Sequence, residues 1–371
     1  MFLGLMMIGA GTGGVADPVT SHDASFSKAG LIKADVSTLK DTQLVAQPEV
    51  PLAADQNVLW CGTLQLAWND AIQLVGEKLH FEHQPPVVDL LNQMDFQAGD
   101  LDPGSYVAIA DFERNHVENE IRAALLKTFH GAASPELIPP TPLKPGPDDF
   151  VAYAYLYKNL AFANPFADNS HLIFGGKPVE NFGFNYFSRA EVKSAVSDQV
   201  QICDYQSADD FVIKLQTQSP QDELILAKIT PASTLQATVQ SVLNRIAKSG
   251  PPQSPGPEDQ LAVPKLNFDL RRDFTKLEGL TLVPGPEAKI KSKLTISKAE
   301  QLVRFQLNEK GAILESEATV VMLSLAMRPM NRHTMIFDRP FLILMKQANA
   351  PQPYFALWVG NASLLIPAKK S

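Results

Sequence analysis

His80 and His83 stand three apart in LHFEH, a spacing that puts two imidazoles on one helical face and within reach of one metal ion. No third ligand is near and no HExxH surrounds them, so we read a solvated pair and expect no metal. Gly9, Gly11 and Gly14 make a formal GxGxxG. A dinucleotide site needs a strand before that motif and a helix after it, to hold the pyrophosphate on the helix N-terminus. Here ADPVTSHD follows and starts no helix, so no cofactor is expected. Cys61 and Cys203 sit in no CxxC and near no histidine cluster, and read as two buried free thiols. GxSxG, Walker and kinase motifs are absent, and no spacing singles out a catalytic pair among the many carboxylates. These residue types therefore point away from an enzyme.

The chain around them has 371 residues, enough for one large domain or two ordinary ones, and its 45% hydrophobic content suits a sizeable core. A net charge of −8 argues against nucleic acid or an anionic membrane as partner. Residues 1–16 pair a short apolar run with small residues, like the core and cleavage region of a secretory signal without its basic start. The run is too short to span a membrane as a helix. We expect a shortened leader, and with it an extracellular or periplasmic location; without one, a cytoplasmic location.

Residues 17–56 are poorly patterned, and 57–369 read as one domain with no internal repeats. Leu64, Trp68, Ala71, Ile72 and Val75 keep helical spacing up to Gly76, and Val117, Ile121, Ala124, Leu125 and Phe129 do so before Gly131. The Pro-rich stretch 138–149 is a loop. DDFVAYAYLY, rich in aromatic and β-branched residues, predicts a central strand. VSDQVQICDY, DDFVIKLQT and DELILAKIT predict consecutive antiparallel strands. Thr230-Pro231 predicts a capped helix start, with Leu235, Val239, Val242, Leu243 and Ile246 on the buried face.

The stretch from Glu309 to Phe341 carries the most information. From Ala312 to Met322 the residues alternate: Ala312, Leu314, Ser316, Ala318, Val320 and Met322 form one uncharged face, while Glu315 and Glu317 fall on the other. The acid-flanked Gly311 precedes this run, and DRPF closes it before LILM. KLTISKAEQLVRFQLN before it, with FDRPFLILMK and PYFALWVGNA after it, resembles the end of the serpin family. There a strand leads through an E-x-G hinge to an exposed reactive loop, then to a PF strand and a final strand ending near a glycine. VPKLNFDLRRDFTKLEGL resembles a strand-and-helix segment of that family, YAYLYKNLAFANPF the strand and turn leading to N/K-P-F, and NVLWCGTLQLAW the first buried strand and helix.

The resemblance implies an α+β serpin fold, with large mixed β-sheets, surrounding helices and a reactive loop over about 309–337. It implies a monomeric inhibitor of endopeptidases. A serine or cysteine protease attacks the loop as substrate, and the cleaved loop then enters the main sheet as an added strand. Glu309, Gly311, Ala312, Leu314, Ser316 and Ala318 would form the hinge. Family spacing places the scissile bond at Leu325–Ala326, with Met327 next. Arg328 is disfavoured because Pro329 follows it, so a chymotrypsin- or subtilisin-like target is expected. Two departures from the family favour a second class, a non-inhibitory binding or carrier protein. The residues after the hinge, Ile313 to Glu317, are bulky, and Gln301 and Tyr153 replace the histidine and asparagine of the cluster beneath the loop.

Overall fold

The computed structural model describes residues 30–129, 150–185, 193, 196–291, 294–296, 299–312 and 333–369. Its centre is a seven-stranded mixed sheet. Edge to edge it runs β2 (Thr42–Val45), β3 (Asn57–Cys61), β18 (Phe355–Val359), β17 (Phe341–Gln347), β11 (Asp222–Lys228), β10 (Asp210–Leu215) and β9 (Val200–Ser207). FLILM and FALWV are unbroken apolar runs because both faces of β17 and β18 are covered, and every residue of those two runs is buried. The expected consecutive strands are β9, β10 and β11, antiparallel and adjacent.

Two further sheets complete the frame. One joins β1 (Ile32–Asp35), β13 (Leu266–Asp273) and β14 (Glu300–Leu307); the other joins β16 (Thr334–Ile336), β12 (Gln260–Pro264), β8 (Lys177–Phe184) and β7 (Ala167–Phe174). Each mixes parallel and antiparallel pairs. Two short ribbons remain, β4 (Tyr106–Phe112) with β5 (Phe150–Leu156), and β6 (Leu160–Ala161) with β15 (Gly311–Ala312). The α+β class expected from the sequence is the class observed.

Helix α1 (Thr63–Val75) buries Leu64, Trp68, Ala71, Ile72 and Val75 and stops at Gly76, whose φ of 92° is the left-handed conformation that glycine takes without strain. Helix α2 (Pro86–Leu91) is short; α3 (Val117–Phe129) buries Val117, Ile121, Leu125 and Phe129. Helix α4 (Leu235–Lys248) starts later than Thr230-Pro231 predicts. Ser233 carbonyl accepts from Leu52 N at 3.0 Å, so the backbone after Pro231 is tied to another segment, and Thr234 Oγ1 caps the helix by accepting from Ala237 N at 3.0 Å.

Three other expectations are corrected. Residues 30–56, without pattern in the sequence, supply β1 and β2, each paired parallel to a strand of a larger sheet. After β13 the chain turns from 275 to 279 instead of forming the helix that VPKLNFDLRRDFTKLEGL suggests. β5 is not central: among the described residues it pairs with β4 alone. Aromatic and β-branched content says that a segment is extended, not how many neighbours it has.

Candidate functional site

The site lies between β5 and β14, two strands that each have one paired edge. Among the described residues β14 pairs with β13 and β1 lies beyond it, while β5 pairs with β4 alone. Residues alternate on both strands. Val303, Phe305 and Leu307 of β14 are buried in the main core, and Ala154 and Leu156 of β5 pack against it. Leu302 and Arg304 point to the other face, as do Tyr153 and Tyr155, which pack with α3.

At the end of β14 the chain reverses sharply. Asn308 and Gly311 exchange backbone hydrogen bonds of 3.0 and 3.2 Å. The chain then pairs antiparallel with β6, Gly311 opposite Ala161 and Ala312 opposite Leu160. It has begun a strand on the open side of β14. Gly311 takes φ +116°, and a Cβ there would meet Leu160 O and come within 2.7 Å of Ala161 Cα and Phe162 N. Both the conformation and the close approach require glycine.

Three carbonyl and side-chain contacts fix this reversal. Phe162 N donates to Lys310 O at 2.8 Å, Phe166 N donates to Glu309 O at 2.7 Å, and Lys310 N donates to Asn308 Oδ1 at 2.9 Å. Glu309 also holds Lys265, Nζ to Oε2 at 2.6 Å, and Lys265 bonds Asp168 as well. Burial pulls the Lys265 ammonium down, but its hydrogen bonds to Asp168 and Glu309 outweigh that and keep it above the ordinary lysine value. Replacing Lys265 with methionine is expected to lower stability by about 3 kcal/mol, because Glu309, largely buried, loses its cation. Denaturant melts of the two proteins measure this; an unchanged midpoint would remove the role assigned to the pair.

Gln301, 4% exposed, reaches from β14 to the start of α1, where its Nε2 donates to Cys61 O at 3.0 Å and Thr63 Oγ1 at 2.6 Å. Among the described residues its Oε1 has no hydrogen-bond partner, nor has the buried hydroxyl of Tyr153. Burial raises the Tyr153 hydroxyl above the usual phenol range and lifts Tyr155 to about 12, with Tyr157 adding to the rise and the Arg304 guanidinium opposing it.

The far end of the loop is anchored separately. Asp259, 2% exposed, accepts from His333 N at 2.6 Å and from Gly256 N at 2.8 Å, and its Oδ2 lies 3.0 Å from His333 Nδ1. Tyr205 OH accepts from Thr334 N at 3.1 Å, and the ring of Tyr205 meets that of His333 edge-on. β16 follows as the edge strand, parallel to β12.

Of the residues singled out in the sequence, Glu309, Gly311 and Ala312 come together at the reversal, and Gln301 and Tyr153 flank the gap. Leu314, Ser316, Ala318, Leu325, Ala326 and Met327 lie outside the described residues. His80 and His83 are both exposed, and among the described residues no three metal-binding side chains converge. Cys61 and Cys203 are free and buried, and burial pushes both thiols up. No described helix is long and apolar enough to cross a membrane. Sequence reasoning missed Lys265, Asp259 and His333; nothing local marks them, since their partners lie far along the chain.

No family model matches the sequence, and no curated protein does. Among solved structures the chain is similar to thyroxine-binding globulin in complex with thyroxine, with 13% identity and a TM-score of 0.49 over 83% of this chain and 93% of that one. It is similar too to Serpin48 of the insect Tenebrio molitor, with 13% identity and a TM-score of 0.44 over 82% and 92%. A structure of human thyroxine-binding globulin gives 13% identity and a TM-score of 0.44 over 83% and 92%. These proteins are serpins, the family that the sequence resembles.

Proposed function

We propose that the chain is a divergent serpin-type endopeptidase inhibitor, a suicide substrate and not an enzyme. A protease nucleophile attacks the carbonyl of Leu325, the amine of Ala326 leaves, and the acyl-enzyme forms. The freed segment then continues the strand begun at Gly311 and fills the gap between β5 and β14, carrying the protease with it. The observation that supports this reading is the pairing of Gly311 and Ala312 with Ala161 and Leu160, next to β14 and β5, each of which pairs with one strand among the described residues. The gain comes from completing two ladders of backbone hydrogen bonds with one strand.

The second reading, a non-inhibitory binding or carrier protein on the same fold, draws on Gln301 and Tyr153. Among the described residues each leaves a buried polar atom without a partner, where the resemblance leads one to expect a closed hydrogen-bonded cluster. One experiment separates the two readings. Incubation with chymotrypsin or subtilisin is expected to give an SDS-resistant complex, with cleavage inside 323–328. Complete cleavage without a complex would select the second reading, and cleavage confined to other sites would remove the assigned reactive bond. The proposed inhibitor works as a monomer outside the cytoplasm, on a chymotrypsin- or subtilisin-like protease.

A further inference from the structure

Residues 32–45 cross from one sheet to another in a single pass. β1 lies at the edge of the three-stranded sheet, parallel to β13, with Ile32 opposite Phe268 and Asp35 opposite Arg271. β2 lies at the edge of the seven-stranded sheet, parallel to β3, with Thr42 opposite Asn57 and Val45 opposite Trp60. A short edge strand held on one side by its backbone alone is weakly fixed. Something further has to hold both of these in place.

The connection between them is short and stiff. Asp35 Oδ1 accepts from Ser37 N at 2.9 Å and from Ser37 Oγ at 2.6 Å. Thr38 Oγ1 donates to Asp35 O at 2.7 Å, and Leu39 N donates to Val36 O at 3.1 Å. Asp41 then takes φ +57°, a left-handed conformation that a residue other than glycine keeps only where its surroundings impose it. Those surroundings are visible: Asp41 O accepts from Asn57 N at 2.8 Å and from Asn361 Nδ2 at 3.2 Å. Val36, Leu44 and Val45 are buried in the main core, so the middle and the far end are both seated. Arg272 of β13 donates through Nη1 to Leu44 O of β2, a direct bond from one sheet to the other.

We propose that residues 32–45 are a strap that binds the β13–β14 pair to the seven-stranded sheet and keeps the two sheets from shifting against each other. A connection this short cannot follow such a shift, so either β1 or β2 must let go first. One wall of the gap, β14, is thereby tied to the centre of the molecule through β13. The other wall is outside the strap: among the described residues β4 and β5 pair only with each other, and they share with α3 a hydrophobic cluster of their own. The strap does not depend on the loop entering the gap, and it stands or falls apart from the inhibitor reading.

The test makes the strap slack without touching either pairing. Gly-Ser-Gly-Ser is inserted in the full chain between Leu39 and Lys40, where the Lys40 side chain is 93% exposed. Native-state hydrogen exchange is then read strand by strand. Loop-closure entropy alone would quicken the opening of β1 by roughly two- to threefold. Loss of a taut strap is expected to quicken exchange in β13 and β14 by about tenfold, with β9, β10 and β11 unchanged. Asp35→Ala, which frees the turn at its exposed side, is expected to act in the same direction and to add little once the insertion is present. A change in β13 and β14 no larger than the loop-entropy factor would overturn the strap and leave two independent edge strands. Equal quickening in β9, β10 and β11 would overturn it too, because the variant would then report lost global stability and no uncoupling of sheets.

Discussion

Gly311→Val is expected to abolish the stability gained on loop cleavage and to lower the melting temperature of the uncut chain. The residue sits at φ +116°, where a β-branched side chain is strained in any surroundings. Its would-be neighbours are Leu160 O, Ala161 Cα and Phe162 N, all backbone, and none can rotate aside as a side chain would. Relieving the clash means parting Gly311 from Ala161, and that separates the first rung of the strand on which insertion depends. Strain and lost pairing together cost about 2–4 kcal/mol. Gly311→Ala, with one methyl, should fall between valine and the natural chain. Melting curves before and after chymotrypsin treatment decide the matter: if the valine variant gains as much on cleavage as the natural chain does, the hinge is elsewhere.

The parts of this molecule that were legible in the sequence are those whose signal is local. LILM and FALWV could only be buried strands, and the three alternating runs between 196 and 230 could only pair with their neighbours. Helices α1 and α3 announced themselves by spacing, and Gly311 by its place between an acid-flanked turn and an uncharged alternating face. What sequence could not supply is which edges meet. β5 has the composition of a central strand, yet among the described residues it pairs with β4 alone, because composition carries no information on which distant segment lies alongside. Lys265 looks like any lysine following a proline until β12 brings it to Glu309. The Asp259–His333 clasp joins residues 74 apart. The helix at 235 began late for the same reason: Ser233 and Leu52 bond to each other, and that contact overrides a good local cap.

Inserting one alanine between Ala312 and Ile313 is expected to eliminate the gain on cleavage, whereas inserting two should largely keep it. A strand turns alternate residues to opposite faces, so one extra residue reverses every side chain beyond it. If the proposed inserted strand keeps the register of Asn308 with Gly311, Leu314 would come opposite Phe305 and Ser316 opposite Val303, and both partners are buried in the main core. On insertion Leu314 would cost about 1–3 kcal/mol for overpacking in that slot. After a single insertion Glu315 takes the place facing Val303 and Leu156, and Glu317 the place facing Ala154. A carboxylate in such a setting costs several kcal/mol, and two of them exceed what a short strand's backbone bonds return. A second alanine restores the faces and displaces the segment by two places, leaving its acids outward. Loop length alone would make the longer insertion at least as harmful as the shorter one. Equal loss in both variants would therefore mean that cleavage gains nothing from a strand in this gap.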